Sequence, residues 1–123
     1  AGFKELTKNE YAKIEKLSYF GDPSLVYDVS ISRYEGILYF PAAVIRDGRM
    51  LFYYNGGYGK KIPDEAALKK IITEALADQK KYVVIIATDI DGFVAKAEKI
   101  KAPSDEFVGA DEKIRNRLYE LGI

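Results

Sequence analysis

Asp47-Gly48 lies between two runs of β-forming residues, and no other feature limits the fold of this chain more. A two-residue Asp-Gly loop takes left-handed backbone at both positions and joins neighbouring antiparallel strands. The flanking residues 37–46 and 49–55 are therefore expected to form a hairpin. Upstream, residues 25–34 alternate from Tyr27, with Tyr27, Val29 and Ile31 on one face and Asp28, Ser30 and Ser32 on the other. That is the pattern of a half-exposed strand, and Glu35-Gly36 turns it into the next. Residues 37–46 are mostly apolar, as in a central strand, yet Pro41 within them points to a bulge or an edge position.

Helical signals flank this β block. Thr7-Lys8-Asn9-Glu10 is a capping box, in which hydroxyl and carboxylate each satisfy a backbone N–H. Tyr11, Ile14, Leu17 and Phe20 then recur at helical spacing, so a helix is expected over residues 8–19, stopped by Gly21-Asp22-Pro23. Pro63-Asp64-Glu65 opens a second helix ending near Lys80, with Leu68, Ile71, Ile72, Ala75 and Leu76 as its buried stripe. Residues 82–88 read as a buried strand, Asp89-Ile90-Asp91-Gly92 as a turn, and residues 93–100 as a last alternating strand closed by Pro103. Ile114, Leu118 and Leu121 mark a final amphipathic helix over residues 111–121. The 123 residues are thus expected to form one α+β domain in the order α-β-β-β-α-β-β-α. Its five-stranded mixed or antiparallel sheet would carry flanking helices, with a core over residues 8–102 and a C-terminal helical extension over 104–123.

Composition limits the chemistry. The chain has no Cys and no His. Thiolate nucleophiles, disulfides and Cys-ligated metals are excluded, and the commonest neutral-pH base and metal ligand is missing. No complete catalytic set, metal or cofactor is expected. The 19 basic and 19 acidic residues balance, so no global field draws in nucleic acid or anionic lipid, and any basic site must be a local patch. Ala1-Gly2-Phe3-Lys4-Glu5-Leu6 turns charged at once, and the longest apolar run, residues 83–87, is too short to span a bilayer. A cytoplasmic location without membrane contact is expected. The supply of Lys, Glu, Tyr and Ile hints at a thermophile.

Four features are candidate sites. Asp89-Ile90-Asp91-Gly92 after an apolar strand resembles the nucleophile motif of haloacid-dehalogenase-type phosphatases, where one carboxylate attacks phosphorus and the other handles the proton and Mg²⁺. Phe93 stands where that family has Thr or Val, and only 31 residues follow Gly92, so an Asp-Gly turn with solvated carboxylates is the simpler reading. Gly56-Gly57-Tyr58-Gly59-Lys60-Lys61 ahead of a helix offers backbone N–H groups to an anion or RNA, although its spacing is not that of a P-loop. Of the ten tyrosines, Tyr11, Tyr27, Tyr39 and Tyr82 fall on core-like positions, whereas Tyr53, Tyr54 and Tyr58 are candidates for base stacking. Lys80-Lys81 ends a helix, where cations also offset the helix dipole.

The run from Lys61-Ile62-Pro63-Asp64-Glu65 through a helix to Lys80-Lys81, then an apolar strand, an acidic Asp-Gly turn and an alternating segment to Ile100, resembles the C-terminal half of the tRNA-splicing endonuclease catalytic-type domain. Residues 11–33 also resemble the small structural subunits of these enzymes. The resemblance spans residues 8–102 and implies a restriction-endonuclease-like fold. That family cleaves introns with a Tyr-His-Lys triad; Lys80 or Lys81 falls where its Lys belongs, and no residue here supplies its His. The resemblance therefore implies an archaeal-type, non-catalytic structural subunit that supports assembly and RNA positioning. Its partner would be a His-containing nuclease subunit, in a homo- or hetero-oligomer acting on a tRNA precursor. Lys80 or Lys81 would face RNA by this resemblance, and Lys60, Lys61 and Tyr58 of the glycine-rich loop stand beside them as RNA- or anion-binding candidates. Asp89, Asp91, Gly92, Phe93, Ala95 and Ala97 would form the subunit interface, through the acidic turn and the last strand. The alternatives are a stand-alone nucleic-acid-binding domain with a decayed nuclease-like fold, a protein-interaction module, and a small phosphatase using Asp89 and Asp91.

Overall fold

The computed structural model describes residues 4–33, 36–56, 64–76 and 81–121. Helix α1 (Lys8–Ile14) begins at the expected capping box: Thr7 Oγ1 accepts from the Glu10 N–H at 3.1 Å, and Glu10 Oε1 accepts from the Thr7 N–H at 2.9 Å. It ends five residues earlier than its spacing predicts. Beyond Glu15 the backbone bonds tighten to a three-residue spacing, Leu17 N–H to Ile14 carbonyl and Phe20 N–H to Leu17 carbonyl. These turns bury Leu17 beside Ile14 and leave Phe20 exposed.

Strands β1 (Leu25–Arg33), β2 (Gly36–Arg46) and β3 (Arg49–Tyr53) form the expected antiparallel meander. Asp47 and Gly48 both take positive φ, 48° and 76°, as their two-residue loop requires. Helix α2 (Glu65–Ala75) is capped by Asp64 and presents Leu68, Ile71 and Ile72 to the core, with Leu76 just beyond. It leads to β4 (Val83–Ala87), which pairs parallel to β3. The domain is α+β, with a mixed sheet in the order β1-β2-β3-β4.

A fifth strand is absent among the described residues, because the segment expected to form it is helical. Residues 93–100 belong to α3 (Ile90–Glu98) and its C-cap. Asp89, expected in a solvated turn, is the N-cap and accepts from the Gly92 N–H at 2.6 Å. Alternation of Phe93, Ala95 and Ala97 suggested a strand, but Phe93, Ala97 and Ile100 also lie at i, i+4 and i+7. Those three are buried and Ala95 is exposed. Ala95-Lys96-Ala97-Glu98 favours helix by propensity as well. Helix α4 (Asp105–Leu121) likewise begins six residues before the expected Asp111, with Asp105 and Glu106 in its first turn.

Helices cover both faces of the sheet. On one, α1 and α3 bury Ile14, Phe93 and Ala97 against Val44, Leu51 and Tyr53. On the other, α2 and α4 bury Leu68, Ile72, Ile114 and Leu118 against Phe40, Ile45, Phe52 and Ile86. Helix α4 is thus part of the main core, and its Asp111 carboxylate accepts from the N–H groups of Asp47 and Gly48 at the hairpin tip.

Pro41 lies neither at a bulge nor at an edge. Strand β2 is central, and the pairs Tyr27↔Ala42 and Val29↔Phe40 keep a one-to-one register around it. The pair missing from the ladder is Asp28 with Pro41, which has no N–H to give. Asp28 answers with a left-handed φ of 53°. Both strands exchange faces at this point. Val26, Val29 and Ile31 all face α2 and α4, whereas Leu25 and Tyr27 face α1 and α3. In β2, Phe40, Ala43 and Ile45 face one way and Ala42 and Val44 the other. Tyr27 therefore does not share a face with Val29 and Ile31, as simple alternation implied. Irregular residues on facing strands invert the alternation together, so neither strand loses register.

Candidate binding cavity at the edge of the sheet

The RNA-facing candidates do not converge among the described residues. Tyr58, Lys60, Lys61 and Lys80 lie outside them. Lys81 precedes β4, exposed and paired with Glu106 at 3.3 Å. Arg49 is opposite Val83 and Tyr53 opposite Ala87 in the parallel β3–β4 pair, so Lys81 and Tyr53 stand at opposite ends of it. Tyr53 and Tyr54 are each 4% exposed and offer no open stacking face. The Tyr53 hydroxyl donates to Glu10, and the Tyr54 hydroxyl to the Gly56 carbonyl at 3.4 Å. Of the tyrosines expected in the core, Tyr39 is buried, Tyr27 and Tyr82 are half-buried, and Tyr11 is exposed.

The interface candidates divide by chemistry. Phe93 and Ala97 are wholly buried in this chain's own core. Ala95 is exposed on α3, and Asp91 pairs with Lys13 at 2.9 Å while its side chain stays 79% exposed. Asp89 and Gly92 are bound to each other at the helix cap. The two carboxylates thus serve a cap and an ion pair. Among the described residues no group of three or more His, Cys, Asp or Glu could hold a metal, and no helix is long and apolar enough to cross a membrane.

A cavity of about 340 Å³, outside the candidate sites above, lies at the outer edge of β1, where the sheet changes faces. Tyr27, Asp28 and Ser30 of β1 line it with Ile37 and Tyr39 of β2. Glu5, ahead of α1, closes one side, and Leu118 and Tyr119 of α4 the other. The left-handed Asp28 sits between walls built from both sheet faces, and its carboxylate accepts from the Tyr39 hydroxyl. Burial raises the Tyr39 pKa, and the bond to Asp28 and the nearby Asp28 and Glu5 charges raise it further. Two carboxylates and three tyrosines meet here, with no basic residue among the described residues of the lining. Asp28 reads as a solvent-facing position in an alternating strand, and Tyr39 as core. The only sequence signal was Pro41, which sits across the ladder from Asp28 and forbids a regular pair.

No family model, curated protein or solved structure matches the chain.

Phenol chemistry extends through the fold. Burial, before any other cause, raises the pKa of Tyr19, Tyr39, Tyr53 and Tyr82. Tyr19, whose hydroxyl donates to the Ala97 carbonyl at 2.6 Å, is pushed from 10.0 up to about 12. Hydrogen bonds to Asp28, Glu10 and Asp111 add to the effect in the other three. A phenol whose folded pKa lies above its unfolded value stabilises the fold fully below the unfolded value, and that contribution is lost as pH rises through the folded one. Stability is therefore expected to fall between pH 10 and 12, the window set by Tyr19. Tyrosinate absorbance and circular dichroism should change together in one alkaline transition. Reversible ionisation near 10 with an unchanged dichroism spectrum would contradict it.

Proposed function

We propose that this chain is a non-catalytic subunit that assembles with other chains through its last strand, β4. The outer edge of β4 carries the reading. It has no partner strand among the described residues. Val83 and Ala87 bond inward to β3, so Val84 and Ile86 turn their N–H and C=O groups outward. Lys96 Nζ takes only the Ile86 carbonyl, at 3.2 Å. Val83, at the start of the edge, is 57% exposed, an unusual position for a β-branched apolar residue on a free strand. A chain without His and Cys suits a supporting role better than hydrolysis.

In its specific form, the assembly would be a tRNA-splicing endonuclease in which a His-containing subunit does the chemistry on a tRNA precursor. The order α-β-β-β-α-β and the exposed Lys81 just ahead of β4 support this form and its restriction-endonuclease-like fold. Helix α3 changes the expected contact, because it replaces the alternating strand through which the family's subunits would pair. The edge passes instead to β4 and the acidic contact to the exposed Asp91.

Val83→Lys tests the reading, since it places a charge at the exposed start of β4 and keeps the backbone N–H that bonds inward to the Gly48 carbonyl. The wild-type chain should self-associate or co-purify with a larger nuclease, and the variant should stay folded and lose that association, read by light scattering after size exclusion. A wild-type chain that stays monomeric and captures no such partner would overturn the proposal. In the specific form, intron cleavage should require both chains together.

A further inference from the structure

We propose that the cavity at the β1 edge binds an organic ammonium group carried on an alkyl chain. Its volume, about 340 Å³, admits a small ligand and is at the low end for ligand sites. Its charge selects the sign: Glu5 and Asp28 contribute two carboxylates, and no basic residue is among the described residues that line the space. Neither carboxylate is paired with a cation among the described residues. Half-buried Tyr27 and exposed Tyr119 supply aromatic walls, which attract a cation through the negative face of the ring, while buried Tyr39 contributes through its hydroxyl on Asp28.

The same lining argues against a metal ion. Calcium takes six to eight oxygen ligands and magnesium a near-octahedral set, whereas no cluster of three acidic ligands exists among the described residues. An alkylammonium asks for less. It is satisfied by one or two carboxylates and a ring face, and its carbon chain gains from an apolar wall such as Leu118. The carboxylates are differently prepared for it. Asp28 is held in place by the Tyr39 hydroxyl, whereas Glu5 makes no hydrogen bond or ion pair to a described residue and can turn onto a ligand. The proposal is independent of assembly through β4, which lies at the other edge of the sheet.

Calorimetric titration of the full chain at low salt is the test. Spermidine and Nα-acetyl-lysine amide are the probes, with 1-butanol as the uncharged control. One saturable site is expected for at least one amine, at roughly millimolar affinity or tighter, and none for the alcohol. The tighter amine identifies the source, a free polyamine or a lysine side chain. Glu5→Gln and Asp28→Asn should each weaken binding about tenfold while leaving the circular dichroism spectrum unchanged. Asn suits Asp28 because it tolerates left-handed backbone and still accepts from Tyr39. Tyr119, 61% exposed at the rim, gives a variant with little effect on folding, and Tyr119→Leu should also weaken the site. Absence of saturable binding, equal binding of the alcohol, or unchanged affinity in both carboxylate variants would overturn the proposal.

Discussion

Replacing Asp111 with alanine will destabilise the domain by about 3–5 kcal/mol, a large share of what a domain of this size possesses. Asp111 is 1% exposed on α4, yet its carboxylate is fully engaged. One oxygen accepts from the Asp47 N–H at 2.8 Å; the other accepts from the Gly48 N–H at 3.4 Å and from the Tyr82 hydroxyl. Removal leaves three donors without their acceptor at once, one buried and two partly buried, and a fully buried unsatisfied donor costs about 1–3 kcal/mol. The latch is reinforced by packing. A Cβ on Gly48 would meet the Phe107 ring at 2.7 Å, so the aromatic of α4 lies directly on the hairpin tip. Asp111→Asn should cost less than alanine, because one oxygen remains while the amide points a donor at a donor. Tyr82→Phe should cost least, about 1 kcal/mol, since it removes a donor and leaves the carboxylate its two backbone partners. Urea midpoints at unchanged slope will rank the three. A loss below about 1 kcal/mol for Asp111→Ala would mean that α4 does not hold the hairpin.

Phe93→Ala is expected to cost about 3–5 kcal/mol while leaving the oligomeric state unchanged. Phe93 is 0% exposed, and its ring lies 5.8 Å from that of Tyr53. Truncation opens a cavity between α3 and the sheet that neighbouring side chains cannot fill. Denaturant unfolding combined with light scattering separates this from an interface role. A variant of wild-type stability that has lost its association would place Phe93 between subunits and refute the helical packing of α3.

The two substitutions probe the parts of the fold least visible in the sequence. Asp111 reads as a polar residue at the start of a surface helix, because nothing local shows that it meets residues 47 and 48. Phe93 to Ile100 satisfies two periods at once, and eight residues are too few for the apolar pattern alone to choose between them. The choice falls to context: Asp89 caps the first turn, and the face of β3 and β4 opposite α2 has Leu51 and Tyr53 to cover. The cavity is still less visible. Its lining comes from four separated stretches of chain, and its carboxylates matter because Pro41 turns the alternation of two strands over at Asp28.

What the sequence determined by itself is whatever depends on neighbours along the chain. The capping box at Thr7 and Glu10 starts α1, Asp47-Gly48 closes the β2–β3 hairpin, and the stripe on α2 buries Leu68, Ile71, Ile72 and Leu76, with Ala75 partly buried beside them. These rest on backbone geometry and on hydrogen bonds spanning three or four residues, which any local stretch carries with it. The absence of His and Cys is of the same kind, and it limits the chemistry before any fold is known. Tertiary structure alone decided that residues 90–98 coil, that Asp111 is buried, that β1 and β2 exchange faces, and that acids and tyrosines share a cavity. Each of these is a competition between nearly equal local states, settled by burial against a surface supplied from elsewhere in the chain.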